Sequence, residues 1–361
     1  MKSLLHKILP DFTKRPIIYG ASENGRSITA LLYKHGVNPL LFVDSYHYGV
    51  KFNDHDVISP TELLEKYNLE SICIIIASAW AHEIYKFLLI NGYKGHIYVL
   101  HSYLDGIDID IVSNEDMSLF LEDTYRVHDN LHDDTSKEIL NLLVDSRLNF
   151  SPIGYLKAFE KTIDISGDRQ YFIHEVMKYL NKYDTVSIID CGAYDGDTIQ
   201  IAIDLKIPIN NSYCFEPDEK SYIALIQRIA KLNLNKQVTA IRAGVWNESG
   251  IIKFLSTNNW SSRIIQNDSG ITINMVSLDN YLSVHCINLI KMDIEGSEMN
   301  ALKGALKIIN QDRPILAISI YHNFYDLVKI PLFLMDILKQ YNYFLRHHSG
   351  TQETVFYCIP Q

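Results

Sequence analysis

Short apolar runs alternate along this chain with longer segments whose apolar residues recur at helical spacing. In the first part, PIIYG (16–20), NPLLFVDS (38–45), SICIIIASAW (71–80) and HIYVL (96–100) read as strands. SENGRSITALLYKHG (22–36) reads as a turn plus helix, and ISPTELLEKYN (58–68) and AHEIYKFLLINGY (81–93) as helices. Ser59 is placed to cap the second helix, with Pro60 at its first position and Glu62 nearby, and Gly92 closes the third. In the second part, strands are predicted near 186–190, 212–216, 238–243, 288–293, 315–320, 341–346 and 354–359. Between the parts, TSKEILNLLVDSRL (135–148), with Thr135 or Ser136 as its cap, and DRQYFIHEVMKYL (168–180) read as helices.

Strands that alternate with helices pair in parallel, so the fold class is α/β with two Rossmann-like doubly wound sheets. A chain of 361 residues is longer than one core usually serves. The expected organisation is a Rossmann-like domain over 1–110, an acidic helical connector over 111–185 and a second α/β domain over 186–361. The opening segment MKSLLHKILPDF reads as a short amphipathic helix, with too little apolar length for a signal peptide. No run reaches the ~18 apolar residues of a membrane span.

Charge refines this picture. The net charge is −10, and residues 101–136 alone hold ten Asp or Glu against one strong base, Arg126, for −9. No basic patch balances it, which argues against nucleic acid as a partner. Five cysteines, at 73, 191, 214, 286 and 358, form no CxxC pair and sit mostly in strand-like runs. Buried free thiols in a reducing, cytoplasmic setting are the simplest account.

The chemistry concentrates in SIIDCGAYDGD (187–197) and in Glu216 of YCFEP, 26 residues after Asp190. A strand ends in an acid, a glycine-containing turn opens a helix, and a second strand ends in another acid. This is the mononucleotide half of a doubly wound sheet, whose ligands lie at the carboxyl ends of the strands. The turn reads acid-x-Gly-x-x-x-Gly, and Asp190, Asp195 and Asp197 crowd it, which disfavours a pyrophosphate. A cationic or zwitterionic nucleoside such as S-adenosylmethionine suits it better. Asp190, Gly192 and Gly196 have a second reading as a tight turn with an acidic helix cap. Glu216 is left for a ribose diol if Asp218 caps the next helix.

Asp293, Glu295 and Glu298 follow the fourth strand in KMDIEGSE. Three carboxylates around one turn call for solvent, pairing or a cation. They point either to Mg²⁺ or to an internal ion pair with Lys291. His322 in ISIYHNF ends the fifth strand, and His347 and His348 stand in RHHS before the last one. His322 is the best-placed candidate general base. Tyr171, Tyr194 and Trp260 are candidates to cover a cofactor or sugar face, or plain core.

DCGAYDGDT, CFEP, SLDNYL and IKMDIEGSEMNALKGA, with QYF at 170–172, LAISIYH at 316–322 and RHHS…ETVFY at 346–357, resemble the motifs of the FkbM family of S-adenosylmethionine-dependent O-methyltransferases. The resemblance covers roughly residues 137–361. It implies a class I methyltransferase sheet closed by an antiparallel edge pair. It implies that Asp190, Gly192, Ala193, Tyr194, Gly196, Asp197, Thr198, Glu216, Pro217, Gly244 and Asp293 line the cofactor. It further implies that His322, Asp293 and His347 serve catalysis, His347 by its position in the motif. Arg242, Ala243 and Gly244 fall where relatives contact adenine.

The first half is similar to the small Rossmann-type domain of bacterial polysaccharide-biosynthesis proteins, through the strand–GASENGR turn, FVDS, and VISPTELL followed by IIIAS. That likeness implies a nucleotide or nucleotide-sugar site; a packing or homodimerisation module is the other reading. Together these expectations describe an O-methyltransferase acting on a sugar hydroxyl of a surface glycan or its precursor. The alternatives are a methyltransferase of a small secondary metabolite and a non-catalytic nucleotide-sugar-binding or scaffold protein.

Overall fold

The computed structural model describes residues 15–69, 72–78, 80–99, 114–166, 169–255, 263–264, 271–283, 286–350 and 352–361. The opening segment, part of the acidic run and Trp260 lie outside them.

The first sheet has six strands: β1 (Ile17–Tyr19), β2 (Phe42–Val43), β3 (Lys51–Phe52), β4 (His55–Ile58), β5 (Ile74–Ile76) and β6 (Ile97–Val99). Their order is β3-β4-β2-β1-β5-β6. The chain winds outward from β1 to one side and then crosses to β5 on the other, as doubly wound sheets do. All neighbours are parallel except β3 and β4. That hairpin turns at Asn53 and Asp54, both with positive φ, the pairing a two-residue turn demands. Ser59 caps the helix Pro60–Lys66 in a reciprocal box with Glu62, as its sequence predicts.

The larger sheet has seven strands: β7 (Ile188–Cys191), β8 (Ser212–Phe215), β9 (Val238–Ile241), β14 (Leu289–Met292), β15 (Ile315–Ser319), β16 (Tyr341–His347) and β17 (Thr354–Pro360). The order is β16-β17-β15-β14-β7-β8-β9. β17 is antiparallel to both β15 and β16, so the antiparallel strand sits one place in from the edge. β7, β14 and β15 are buried along their whole length, because helices cover both faces. Alternate residues therefore feed two cores: Ile189, Ile290 and Leu316 one, Ile188, Leu289 and Ile315 the other. A small sheet absent from the expectation joins β10 (Gly244–Val245), β11 (Gly250–Leu255), β12 (Arg263–Ile264) and β13 (Ile271–Val276) in the order β10-β13-β11-β12.

Helices Asn114–Asn130, Asp134–Asn149 and Pro152–Ser166 join the halves. The cap of the second is Asp133, whose carboxylate takes the Ser136 N–H at 2.6 Å; Thr135 and Ser136 lie inside the helix. Asp133 also binds the fully buried Arg346 at 2.7 Å, and Glu175 binds it at 3.1 Å. An acid that both caps the helix and meets a buried guanidinium displaces the weaker hydroxyl caps.

The same helix serves both cores. Leu140 and Leu143 join the core of the larger sheet, and Phe150, just past its end, joins Ile18, Phe42 and Ile75 in the first. The Phe150 carbonyl accepts from the Val99 N–H at 2.9 Å. Phe150→Ala is therefore expected to cost about 3–5 kcal/mol and to shift urea unfolding of the whole chain. A loss below about 1 kcal/mol would mean that the first core closes without this residue.

Candidate active site

The carboxyl ends of β7, β8, β14 and β15 meet where the chain crosses from one side of the sheet to the other. β7 and β14 are neighbours, in a register that sets Asp190 beside Lys291. The Lys291 ammonium lies 3.0 Å from Asp190 Oδ1 and donates to the Gly192 carbonyl at 2.6 Å. It also stands over the Tyr171 ring, 5.2 Å from its centre. Burial pushes Asp190 up to about 6, against the pull of Lys291. Neither Asp190 oxygen has an aligned hydrogen bond from a described residue.

Gly192 has φ +79°, and a Cβ there would run into the Asp293 carbonyl, so only glycine allows this approach. Tyr194, also at positive φ, donates its N–H to Glu216 Oε2 at 2.9 Å. Glu216 Oε1 accepts from the Asp218 N–H at 2.8 Å. Asp218 caps the helix Glu219–Lys231, leaving Glu216 to face the turn. Burial raises Glu216 to about 7 although both amides oppose it. Each of its oxygens keeps a lone pair for a further donor.

The remaining acids of the turn are less crowded than the sequence suggests. Asp195 pairs with Arg228, and Asp197 is exposed and accepts from the Thr198 N–H at 2.7 Å. Gly196 lies before the helix Asp197–Asp204. Ala193 and Thr198 are buried under the turn, and Pro217 is half-buried behind Glu216. Gly244 opens β10 and presses on Met275. Arg242 pairs with Glu219 at 3.2 Å.

A second cluster follows β14. Lys291 is not its paired counter-charge, because its ammonium is turned to Asp190 and acts on Asp293 only from a distance. The cation there is His322. Its Nδ1 lies 3.1 Å from Glu298 Oε1, and its Nε2 3.4 Å from Asp293 Oδ1 and 3.7 Å from Glu295 Oε2. Burial works against the imidazolium, yet Glu298, Glu295 and Asp293 hold its proton well above the ordinary range. Burial also opposes ionisation of Asp293, but His322, Lys291 and two tyrosine hydroxyls keep its carboxyl low. Glu295, with two thirds of its side chain covered, is pushed up to about 8 by desolvation. Glu298 is fully buried and accepts the Ile294 N–H at 2.8 Å.

Tyr171, Tyr321 and Glu353 complete the wall. Tyr171 donates to Asp293 Oδ2 at 2.7 Å and Tyr321 to Oδ1 at 3.1 Å. Glu353 lies 3.2 Å from the same Tyr321 hydroxyl, whose one proton the two acids share, and accepts from Gln170 at 2.7 Å. Tyr321, Glu353 and Gln170 are not singled out from the sequence, although each lies in a segment that carries the resemblance. His347 stands elsewhere: its Nδ1 meets the Thr354 hydroxyl at 2.8 Å and its ring packs near Tyr155. The structure thus brings Asp293, Glu295, Glu298 and His322 together and leaves His347 out.

The family model of the methyltransferase FkbM domain matches residues 190–345. A crystal structure of the methyltransferase FkbM from Methylobacillus flagellatus KT is similar over 97% of this chain and 92% of its own, with a TM-score of 0.70 and 20% identity. The two share a fold. Precorrin-6y C5,15-methyltransferase from Geobacter metallireducens GS-15 aligns over 51% of this chain and 83% of its own, with a TM-score of 0.32 and 12% identity. TrmK of M. capricolum, solved with S-adenosyl-homocysteine, aligns over 51% and 66%, with a TM-score of 0.27 and 12% identity. Comparison with curated proteins finds no match.

Lys291→Met leaves Asp190 buried without its counter-charge and is expected to cost about 3–5 kcal/mol. Asp190 holds its proton more tightly in the fold, near 6, than at its ordinary 3.8, so its contribution to stability falls as pH rises between these values. In the variant the carboxyl escapes the penalty by staying protonated. Urea unfolding should show a larger loss at about pH 8 than at about pH 5; an equal loss at both would place the cost elsewhere.

Proposed function

We propose that this chain is an S-adenosylmethionine-dependent O-methyltransferase acting on a sugar hydroxyl of a glycan or its nucleotide-linked precursor. The carrying observation is the contrast between the two acids at the strand ends. Asp190 is buried with hydrogen-bonding capacity unfilled, and Glu216 is oriented by two backbone amides with a lone pair left on each oxygen. The first suits the cationic methionine end of the cofactor, the second its ribose diol. Ala193, Tyr194, Gly196, Asp197, Thr198 and Pro217 surround these acids, and Gly244 stands by the third strand, where the adenine would lie. The match of residues 190–345 to the FkbM domain supports the same chemistry. The sugar acceptor rests on the likeness of the first half to polysaccharide-biosynthesis domains. Four buried thiols, at Cys73, Cys191, Cys214 and Cys358, suit a reducing compartment and so a cytoplasmic enzyme.

Transfer is an in-line displacement. The acceptor oxygen forms a bond to the methyl carbon as the carbon–sulfur bond breaks, and that electron pair stays on sulfur. The hydroxyl proton leaves through the acid-rich cluster to solvent. Alignment of donor and acceptor supplies about 7–11 kcal/mol of the barrier. Activation of the hydroxyl adds on the order of 10²–10⁴ in rate. Asp293, kept ionised beside the protonated His322, is the residue proposed to take that proton, and His322 holds it in place. The Mg²⁺ expected at Asp293, Glu295 and Glu298 would, if held there, assist by acidifying the acceptor hydroxyl.

Two measurements test this reading. A ribose diol donates to an ionised carboxylate, and Glu216 ionises near pH 7. Calorimetric affinity for S-adenosylhomocysteine should therefore rise with pH across about 6–8 and level off. Glu216→Ala should abolish that rise and weaken binding by about 1.5–3 kcal/mol. Unchanged affinity in a folded variant would remove Glu216 from the ribose role. The second measurement is the mass gain of one methyl in nucleotide-sugar and glycan fractions. His322→Ala should slow it about 10²–10⁴-fold while cofactor affinity holds. A gain confined to non-sugar metabolites would overturn the acceptor class.

A further inference from the structure

Asp293 and Glu298 come from the turn after β14, and His322 from the end of β15. Their candidate ligand atoms lie within 4.8 Å of one another, the single such group of three among the described residues. The side chains are held from behind. Asp293 takes the Tyr171 and Tyr321 hydroxyls, and Glu298 Oε1 takes the Ile294 and Gly296 amides. What they present forward is unsatisfied. Neither His322 nitrogen makes an aligned hydrogen bond to a described residue, and Glu298 Oε2 is buried without a partner. His322 is only 8% exposed at its side chain and Glu298 0%. Buried polar atoms left open in this way are costly unless something fills the gap.

We infer that Asp293, Glu298 and His322 bind one divalent cation of the first transition row at the acceptor end of the crevice. Around an ion with bonds of ~2.1 Å, ligand atoms stand roughly 3–4 Å apart, so one imidazole nitrogen and one oxygen from each acid, all within 4.8 Å of one another, need only a small approach to enclose it. A mixed set of one imidazole and two carboxylates suits Mn²⁺ or Zn²⁺ better than Mg²⁺, which takes oxygen and keeps most of its water. Tyrosine and backbone donors behind the acids are the outer support that metal carboxylates usually have. Glu295, partly exposed beside His322, stands at the open side. In the proposed transfer the cation would lower the pKa of the acceptor hydroxyl. That role rests on the methyltransferase reading, whereas the binding does not.

The test uses the full chain, stripped with chelator and titrated with Mn²⁺. Loss of the free-ion paramagnetic resonance signal should report one ion per chain with micromolar affinity. Pulsed measurements should show coupling of the bound ion to an imidazole nitrogen. His322→Gln and Glu298→Gln should each weaken binding by at least about 100-fold, and His322→Gln should abolish the nitrogen coupling. Free Mn²⁺ persisting at millimolar protein, or bound Mn²⁺ without nitrogen coupling, overturns the site. Should His322→Gln fail to fold, the nitrogen coupling in the unaltered chain decides alone. S-adenosylhomocysteine binding, measured in chelator, separates the two ideas: its absence beside intact Mn²⁺ binding would remove the methyltransferase reading and leave the metal site standing.

Discussion

The buried pair of Lys291 and Asp190 is the constraint on which the rest of the site depends. Two charges taken out of water are expensive, and their attraction repays that only when geometry and further hydrogen bonds are favourable. Here the strand register supplies the geometry, because β14 and β7 are neighbours and the two residues face each other. The ammonium then fixes more than its partner. It holds the Gly192 carbonyl and lies over Tyr171, so it joins the first turn, the fourth strand and the QYF segment. Tyr171 in turn reaches Asp293. One cation thus sets the position of Asp190 and, through a ring and a hydroxyl, of Asp293.

That arrangement decides how the other charges are shared. A lysine two residues before Asp293 reads in sequence as its counter-charge. In a strand, however, residues two apart point to the same face at different heights. The ammonium extends toward β7 and meets Asp190, which leaves the acids after β14 to His322. Three carboxylates around one imidazole keep it charged, and burial, helped by the neighbouring negative charge, raises Glu295 to about 8 and Glu353 to about 7. The cluster is therefore short of positive charge by construction.

Much of this was legible in the chain. Alternating strands and helices, the Ser59 capping box, Glu216 at a strand end with Asp218 as the neighbouring cap, and the convergence of Asp293, Glu295, Glu298 and His322 all follow from local pattern and strand order. What was not legible depended on contacts far apart in sequence. Asp133 wins the helix cap over Thr135 and Ser136 because it also meets Arg346, 213 residues away. The β3–β4 hairpin hides in the pair Asn53-Asp54, which lacks the glycine that marks such turns most strongly. The small sheet around β13 pairs β11 and β13 antiparallel, so the rhythm of parallel strands and helices does not announce it. Cys286 is exposed, unlike the other four thiols.

The two halves put an acid at the same place in the same architecture, and the comparison shows why fold alone does not assign function. Asp44 follows β2 as Glu216 follows β8. The Asp44 carboxylate accepts three backbone amides, from Ala21, Tyr46 and His47, at 2.9–3.0 Å. Desolvation is outweighed there, and the carboxyl is held below its ordinary value. Such a group locks a turn and has little capacity left for a ligand. Glu216 accepts two amides and Asp190 none, and burial raises both. A carboxylate that is buried, raised and under-bonded is poised for a donor that arrives from outside, whereas one that is saturated by its own loop is part of the scaffold. Hydrogen-bond capacity at matching strand ends therefore separates the two crevices, where sequence spacing makes them look alike.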